Sequence, residues 1–85
     1  MIVQGSPDNP GIYALWNDGE MIYLGRAQSI RAQLLAQLQQ RDACVSEATH
    51  YTWELSLRAE TREAELLEEF RQRHGRLPRC NEKAA

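Results

Sequence analysis

No apolar run in this 85-residue sequence approaches the roughly 20 residues that a membrane-crossing helix needs. The N-terminus also lacks a basic segment followed by an apolar stretch, so a secretory signal finds no support and cytoplasmic residence is the expectation. Cysteine is scarce. Cys44 and Cys80 are the only two, their spacing fits no metal-ligand pattern, and an ordinary apolar content does not call for a staple, so both are expected as reduced thiols. Neither sign of charge dominates, the formal net charge being −2. Indiscriminate affinity for nucleic acid needs many cationic side chains neutralising phosphates, and this balance does not supply them. Internal repeats and low-complexity tracts are missing as well.

What is present is the composition of a globular domain, 42% hydrophobic and 26% charged. The length suits one domain over residues 1–85 with a single modest core. Charge is unevenly spread. Arg71, Arg73, Arg76, Arg79 and Lys83 face only Glu82 in the last stretch, which is either a positive patch for phosphates or a set of solvated arginines complementing a helix end.

The first ten residues are dense in turn formers, Gly5 to Pro10, and read as a loop with Ile2 and Val3 packing at an edge. Gly11 to Trp16 is rich in strand formers, Asn17-Asp18-Gly19 is a hairpin turn, and Met21 to Leu24 returns as a second strand. Gly25 to Ser29 connects to a helix that Ser29 can cap, with Ile30, Leu34, Leu35 and Leu38 at helical spacing and an end near Gln40. Asp42 to Thr49 reads as a loop. From His50 to Leu57 the chain alternates, with Tyr51, Trp53, Leu55 and Leu57 on one face, which predicts a third strand. A second helix is expected from about Glu60 to His74 on a Leu66, Leu67, Phe70 stripe, stopped by Gly75, and Arg76 to Ala85 as an irregular tail. The fold class expected is α/β, a small three-stranded, mainly antiparallel sheet flanked by helices in the order β-β-α-β-α. Trp16 and Trp53 are expected in its core.

Within the hairpin, Gly11-Ile12-Tyr13 and Tyr23-Leu24-Gly25 place two tyrosines ten positions apart. Parity allows both phenols on one face, with hairpin register as the arbiter. The pair resembles the two tripeptides of the GIY-YIG nuclease domain, the second reading YLG here. The element order is similar to that family, including the N-terminal domain of excision-repair endonucleases, so the resemblance covers most of the chain.

The resemblance implies a set of site residues. Tyr13 and Tyr23 would line the cleft, one of them helping to take a proton from the attacking water. Ala59, Glu63, Leu66 and Leu67 match the pattern around the family's metal-binding glutamate, and Glu63 lies on the same helical stripe as Leu66, Leu67 and Phe70. Otherwise Glu63 is one solvated acid among Glu60, Glu65, Glu68 and Glu69, with Glu65 and Glu68 as alternatives for the metal role. Asn81, three residues after Pro78, matches the C-terminal asparagine, whose amide can orient a tyrosine hydroxyl or water; as a residue of an irregular tail it is simply a turn former. The helix arginine is where the pattern fails, because Gln33 stands at its place. Arg31 is about 200° around the helix from that position, and Arg26 adjoins the second tripeptide. His50, on the polar face of the third strand, is either a base near neutral pH or an exposed strand residue.

Two functional classes follow from the resemblance. The first is a metal-dependent DNA endonuclease domain, using Mg²⁺ or Mn²⁺ held by Glu63 and of reduced activity because of Gln33, acting on branched or damaged DNA in repair, with a protein partner for targeting. Tyr13, Tyr23, Glu63 and Asn81 would be catalytic, Arg26, Arg31, Gln33 and His50 possible contributors, and Arg71, Arg73, Arg76 and Arg79 contacts to nucleic acid. The second is a catalytically inactive module that binds nucleic acid or protein with the same cleft. A chance pairing of tripeptides in an unrelated α/β protein is the third reading, and it requires that Tyr13, Tyr23, Glu63 and Asn81 fail to meet in space.

Overall fold

The computed structural model describes residues 7–39 and 43–84. The expectations for Ile2 and Val3, for the helix end near Gln40, for Asp42, and for the side chains of Leu38, Glu82 and Lys83 lie outside the described residues. Strand β1 (Gly11–Asn17) turns through Asp18, whose φ of 53° supplies the left-handed conformation of the hairpin, into β2 (Glu20–Ala27). Helix α1 (Ile30–Gln39) follows, then a 3₁₀ turn (Val45–Glu47), strand β3 (His50–Leu55), helix α2 (Ala59–His74) and helix α3 (Arg79–Ala84). The sheet is antiparallel throughout, in the order β2-β1-β3.

Register decides which side chains share a face. Tyr13 pairs with Gly25 and Leu15 with Tyr23, after which the ladder shifts and Trp16 pairs with Met21. Ile22 is therefore the extra residue of a bulge, and both it and Tyr23 join Tyr13, Leu15, Ile30 and Leu34 in the core under α1. The opposite face carries Ile12, Ala14 and Leu24, covered by Ala59, Leu66 and Leu67 of α2. Ser29 caps α1 as expected: its Oγ accepts from the Ala32 N–H at 3.2 Å. Gly75 ends α2 with φ 73°, its N–H donating to the Arg71 carbonyl at 2.7 Å.

Five expectations are corrected. The segment after Pro78 is not an irregular tail but carries α3, which packs along β2. Cys44 and Cys80 are not reduced; they form a disulfide that joins the 3₁₀ turn to α3. The third strand stops at Leu55, and Trp53 is 42% exposed rather than in the core, because both helices lie over β1 and β2 and leave β3 at an uncovered edge. On α1, Leu35 faces solvent while Gln37 is buried in its stead. Trp16 is half-buried beside Met21 and packs against the α2 face.

Candidate active site

The two motif glycines have steric reasons. A Cβ on Gly11 would lie 2.2 Å from the Glu54 carbonyl oxygen, so only glycine lets β1 and β3 approach here. A Cβ on Gly25 would lie 2.9 Å from Cε1, Cζ and Oη of Tyr13, whose ring crosses directly above it. Tyr13 is 1% exposed, and its ring centroid is 5.8 Å from that of Tyr23. Gln37 Nε2 donates to the Tyr13 hydroxyl at 3.0 Å. Burial first, and then the neighbouring Tyr23, hold the Tyr13 phenol well above the usual tyrosine range, with the Gln37 bond acting in the opposite sense. A phenol so held is a poor base. Tyr23 is only half-buried and is the one of the pair with access to water.

On the opposite face, Arg26 stands across from Ile12 at the end of β2. Its Nη1 lies 3.7 Å from a Glu60 carboxylate oxygen and 3.8 Å from one of Glu63. The Glu63 side chain is 23% exposed against 50% for Arg26, so the helical stripe does turn Glu63 toward the sheet. An open cleft of about 610 Å³ runs between the first turns of α1 and α2, and both Arg26 and Gln33 line it, with Ser29, Ser56 and Ala59. Gln33 also contacts the Tyr13 hydroxyl region, as its opposing influence on that phenol shows. The tyrosine pair lies on the α1 face of the sheet and the Arg26–Glu63 pair on the α2 face, and of these four residues Arg26 lines the cleft.

Other candidates stand elsewhere. The Asn81 amide is engaged with backbone: the Leu24 N–H donates to Oδ1 at 2.9 Å, and Nδ2 donates to the Leu24 carbonyl at 2.8 Å. It clips α3 to the outer edge of β2 between the tyrosine and glycine of the second tripeptide. His50 pairs with Trp16 at the far end of β1 and stacks on it with centroids 6.0 Å apart. That is four residues from Ile12, or about 14 Å along a strand, from the Arg26 end. Glu68 bonds Arg71 and Gln72 on the exposed side of α2, and Glu65 is exposed. Arg31 is exposed on α1, its backbone N–H tied to the Pro7 carbonyl at 3.0 Å.

The C-terminal arginines are each matched by an acid. Arg71 pairs with Glu68, Arg73 with Glu69 at 3.4 Å, Arg76 with Glu20 at 3.6 Å and Arg79 with Glu47 at 2.7 Å. These pairs are solvent-screened and exchange readily for a phosphate. Arg73 and Arg76 rim a second cleft of about 340 Å³ walled by Trp16 and Phe70. The Arg76 guanidinium lies 5.9 Å from the Phe70 ring centroid.

Gln37 is the residue that sequence reasoning missed. The signal was there, since Gln37 lies seven residues from Ile30 and three from Leu34 on the buried stripe. Among the described residues no cluster of three or more His, Cys, Asp or Glu forms a ready-made metal cage. Glu60 and Glu63 nevertheless both lie within reach of one positive nitrogen. One or two carboxylates with water and substrate oxygens are the usual donor set for Mg²⁺, so these residues fit a hard divalent ion.

No protein-family model matches the chain, and no curated protein does either. Solved structures do. The magnesium-bound GIY-YIG N-terminal endonuclease domain of UvrC from Thermotoga maritima superposes with a TM-score of 0.71 and 25% identity, over 81% of this chain and 85% of that one. A point mutant of the same domain with an asparagine replaced by alanine, bound to its catalytic divalent cation, gives TM-score 0.71 and 25% identity over 81% and 84%. One with a tyrosine replaced by phenylalanine gives the same TM-score at 24% identity. The chain is a GIY-YIG-like domain, with the three-stranded antiparallel sheet and flanking helices of those neighbours. Among the described residues, no helix is long and apolar enough to cross a membrane.

Proposed function

We propose that this chain is a metal-dependent DNA endonuclease domain that hydrolyses phosphodiester bonds by in-line attack of water in the cleft between α1 and α2. The observation that supports the reading is the fold shared with a nuclease domain that holds magnesium, together with Arg26 and Gln33 lining that cleft and Glu63 standing beside Arg26. Glu63, with Glu60 beside it, would hold Mg²⁺ or Mn²⁺. When bound, such an ion neutralises phosphate charge and makes a water molecule more acidic. Tyr23 orients that water by hydrogen bonding through its hydroxyl. Tyr13 is a positioning residue, packed against Tyr23 and fixed by Gln37. Asn81 holds β2 in place through the Leu24 backbone.

Arg26 supplies the cation. Its guanidinium is half-exposed at the cleft, where it can leave the carboxylates for a phosphate oxygen and stabilise charge that develops in the transition state. Gln33 donates a hydrogen bond there but brings no charge, so the domain cuts more slowly than one with an arginine in that position. Branched or damaged DNA, as in repair, is the substrate, with a protein partner for targeting and with Arg71, Arg73, Arg76 and Arg79 exchanging their acids for phosphates. The specific test is cleavage of labelled duplex, nicked, single-stranded and branched DNA with Mg²⁺ or Mn²⁺ by wild type and Arg26→Ala. A fall of about 10²–10³ in rate is expected for the variant; an unchanged rate removes Arg26 from the chemistry.

A second reading is a catalytically inactive module that binds nucleic acid or protein in the same cleft. Gln33 in place of an arginine favours it, as does the neutralisation of each C-terminal arginine by a neighbouring acid. It predicts DNA binding without turnover for every metal ion.

A further inference from the structure

The cleft walled by Trp16 and Phe70 lies on the same face of the sheet as Arg26 and Glu63. Met21 and Leu24 of β2 and Leu66 of α2 complete its apolar lining. Leu24 stands two residues before Arg26, about 7 Å along the strand. Phe70 stands seven residues after Glu63, so two helical turns bring it back to the same stripe of α2, about 10 Å further on. A DNA strand with a phosphate at Arg26 that runs along α2 therefore reaches this cleft in about three base steps.

The rim is chemically mixed. Arg73, His74 and Arg76 bring donors, while Glu20 and Glu69 bring acceptors. Arg73 is held to Glu69 at 3.4 Å and Arg76 to Glu20 at 3.6 Å, and all four side chains are at least 43% exposed, so water screens both pairs and a ligand can exchange with them. The walls offer π faces: Phe70 packs on His74 with ring centroids 4.3 Å apart, and the Arg76 guanidinium approaches the Phe70 ring from the rim. An aliphatic side chain of a protein partner would match the walls and leave the rim donors and acceptors unmet. A nucleobase carries both a π face and an edge of donors and acceptors.

We propose that this cleft receives one unpaired base of the DNA strand whose backbone lies at Arg26, the base stacking on Phe70 and Trp16 and its phosphate replacing an acid on Arg73 or Arg76. Resting on the reading of this chain as a DNA nuclease domain, the site makes an unpaired nucleotide about three steps from the scissile phosphate the feature of branched or damaged DNA that is recognised. Paired duplex bases cannot enter the cleft without opening. Every base has a π face, so the cleft selects DNA structure rather than sequence.

The test is equilibrium binding of the full chain, without a divalent ion, to two labelled single-stranded probes of equal length: an ordinary oligonucleotide and one with a run of abasic sugars at its centre. Wild type should bind the ordinary probe tighter by about tenfold or more. Phe70→Leu keeps the apolar lining and removes the π face; it should lose most of that preference while circular dichroism shows it folded. In a Trp53→Phe background Trp16 is the one tryptophan left, and its emission should be quenched by the ordinary probe and not by the abasic one. Equal affinity of wild type for the two probes, a preference that survives in Phe70→Leu, or an unquenched Trp16 overturns the proposal and leaves the cleft to a peptide. Cutting of DNA with no base preference would overturn this site and keep the nuclease reading, and a base preference with no cutting would do the reverse.

Discussion

Replacing Gly25 with alanine adds one methyl group where there is no room for it. That carbon would sit 2.9 Å from three atoms at the end of the Tyr13 ring. The ring cannot swing clear, being 1% exposed, bonded by Gln37 and flanked by Tyr23. Gly25 is not among the residues with positive φ, so the cost is steric and not one of backbone conformation. Overpacking of this kind costs about 1–3 kcal/mol, and in a domain of this size 1 kcal/mol shifts the midpoint by about 4–8 °C. Thermal unfolding followed by circular dichroism should therefore show a fall of roughly 5–20 °C for Gly25→Ala. In a Tyr13→Leu background the same substitution should cost at least about 1 kcal/mol less, because the colliding atoms are gone. A midpoint unchanged within about 2 °C, or an equal cost in both backgrounds, refutes the reasoning.

Asn81→Ala should lose about 1–3 kcal/mol in urea unfolding and speed hydrogen exchange at the Leu24 amide, since a part-buried strand edge loses both partners; unchanged exchange would show that Asn81 does not hold β2. Reduction of Cys44–Cys80, which are 36 positions apart, should destabilise by about 4 kcal/mol on the chain-entropy estimate, and an unshifted melting curve after reduction contradicts this. The Tyr13 phenol is held neutral in the fold, so its contribution is whole below its ordinary value near 10 and is lost as the pH rises beyond it. Tyr13→Phe should lose about 1 kcal/mol near pH 7 with the Gln37 bond, yet decline less steeply than wild type between roughly pH 9.5 and 11. Parallel declines would contradict it.

Local pattern carried the hairpin, the capped first helix and the second helix ended by Gly75, because turn chemistry, Ser29 and apolar periodicity act within a few residues. Parity left Tyr13 and Tyr23 to the hairpin register, and the bulge between them and the turn is what sets both on one face. What could not be read depends on distant segments. Alternation in His50–Leu55 resembles a half-buried strand, but its exposure follows from the order β2-β1-β3 and from where two helices settle. Pro78 reads as the start of a tail, although a proline is also at home just before a helix, and α3 is anchored by the disulfide at Cys80 and the bonds of Asn81, both with partners far along the chain. The pairing of Arg26 with Glu63 joins residues 37 positions apart on different elements, which no spacing signals.

The most direct measurement is single-turnover cleavage of the labelled DNA panel with Mg²⁺ or Mn²⁺ by wild type, Glu63→Ala and Gln33→Arg. The account predicts metal-dependent cutting by wild type and its loss in Glu63→Ala. It also predicts a rise in Gln33→Arg of up to about 10²–10³, the worth of a charged donor at the scissile phosphate. DNA that is bound but left intact by both wild type and Gln33→Arg would contradict it and establish the cleft as a binding site alone.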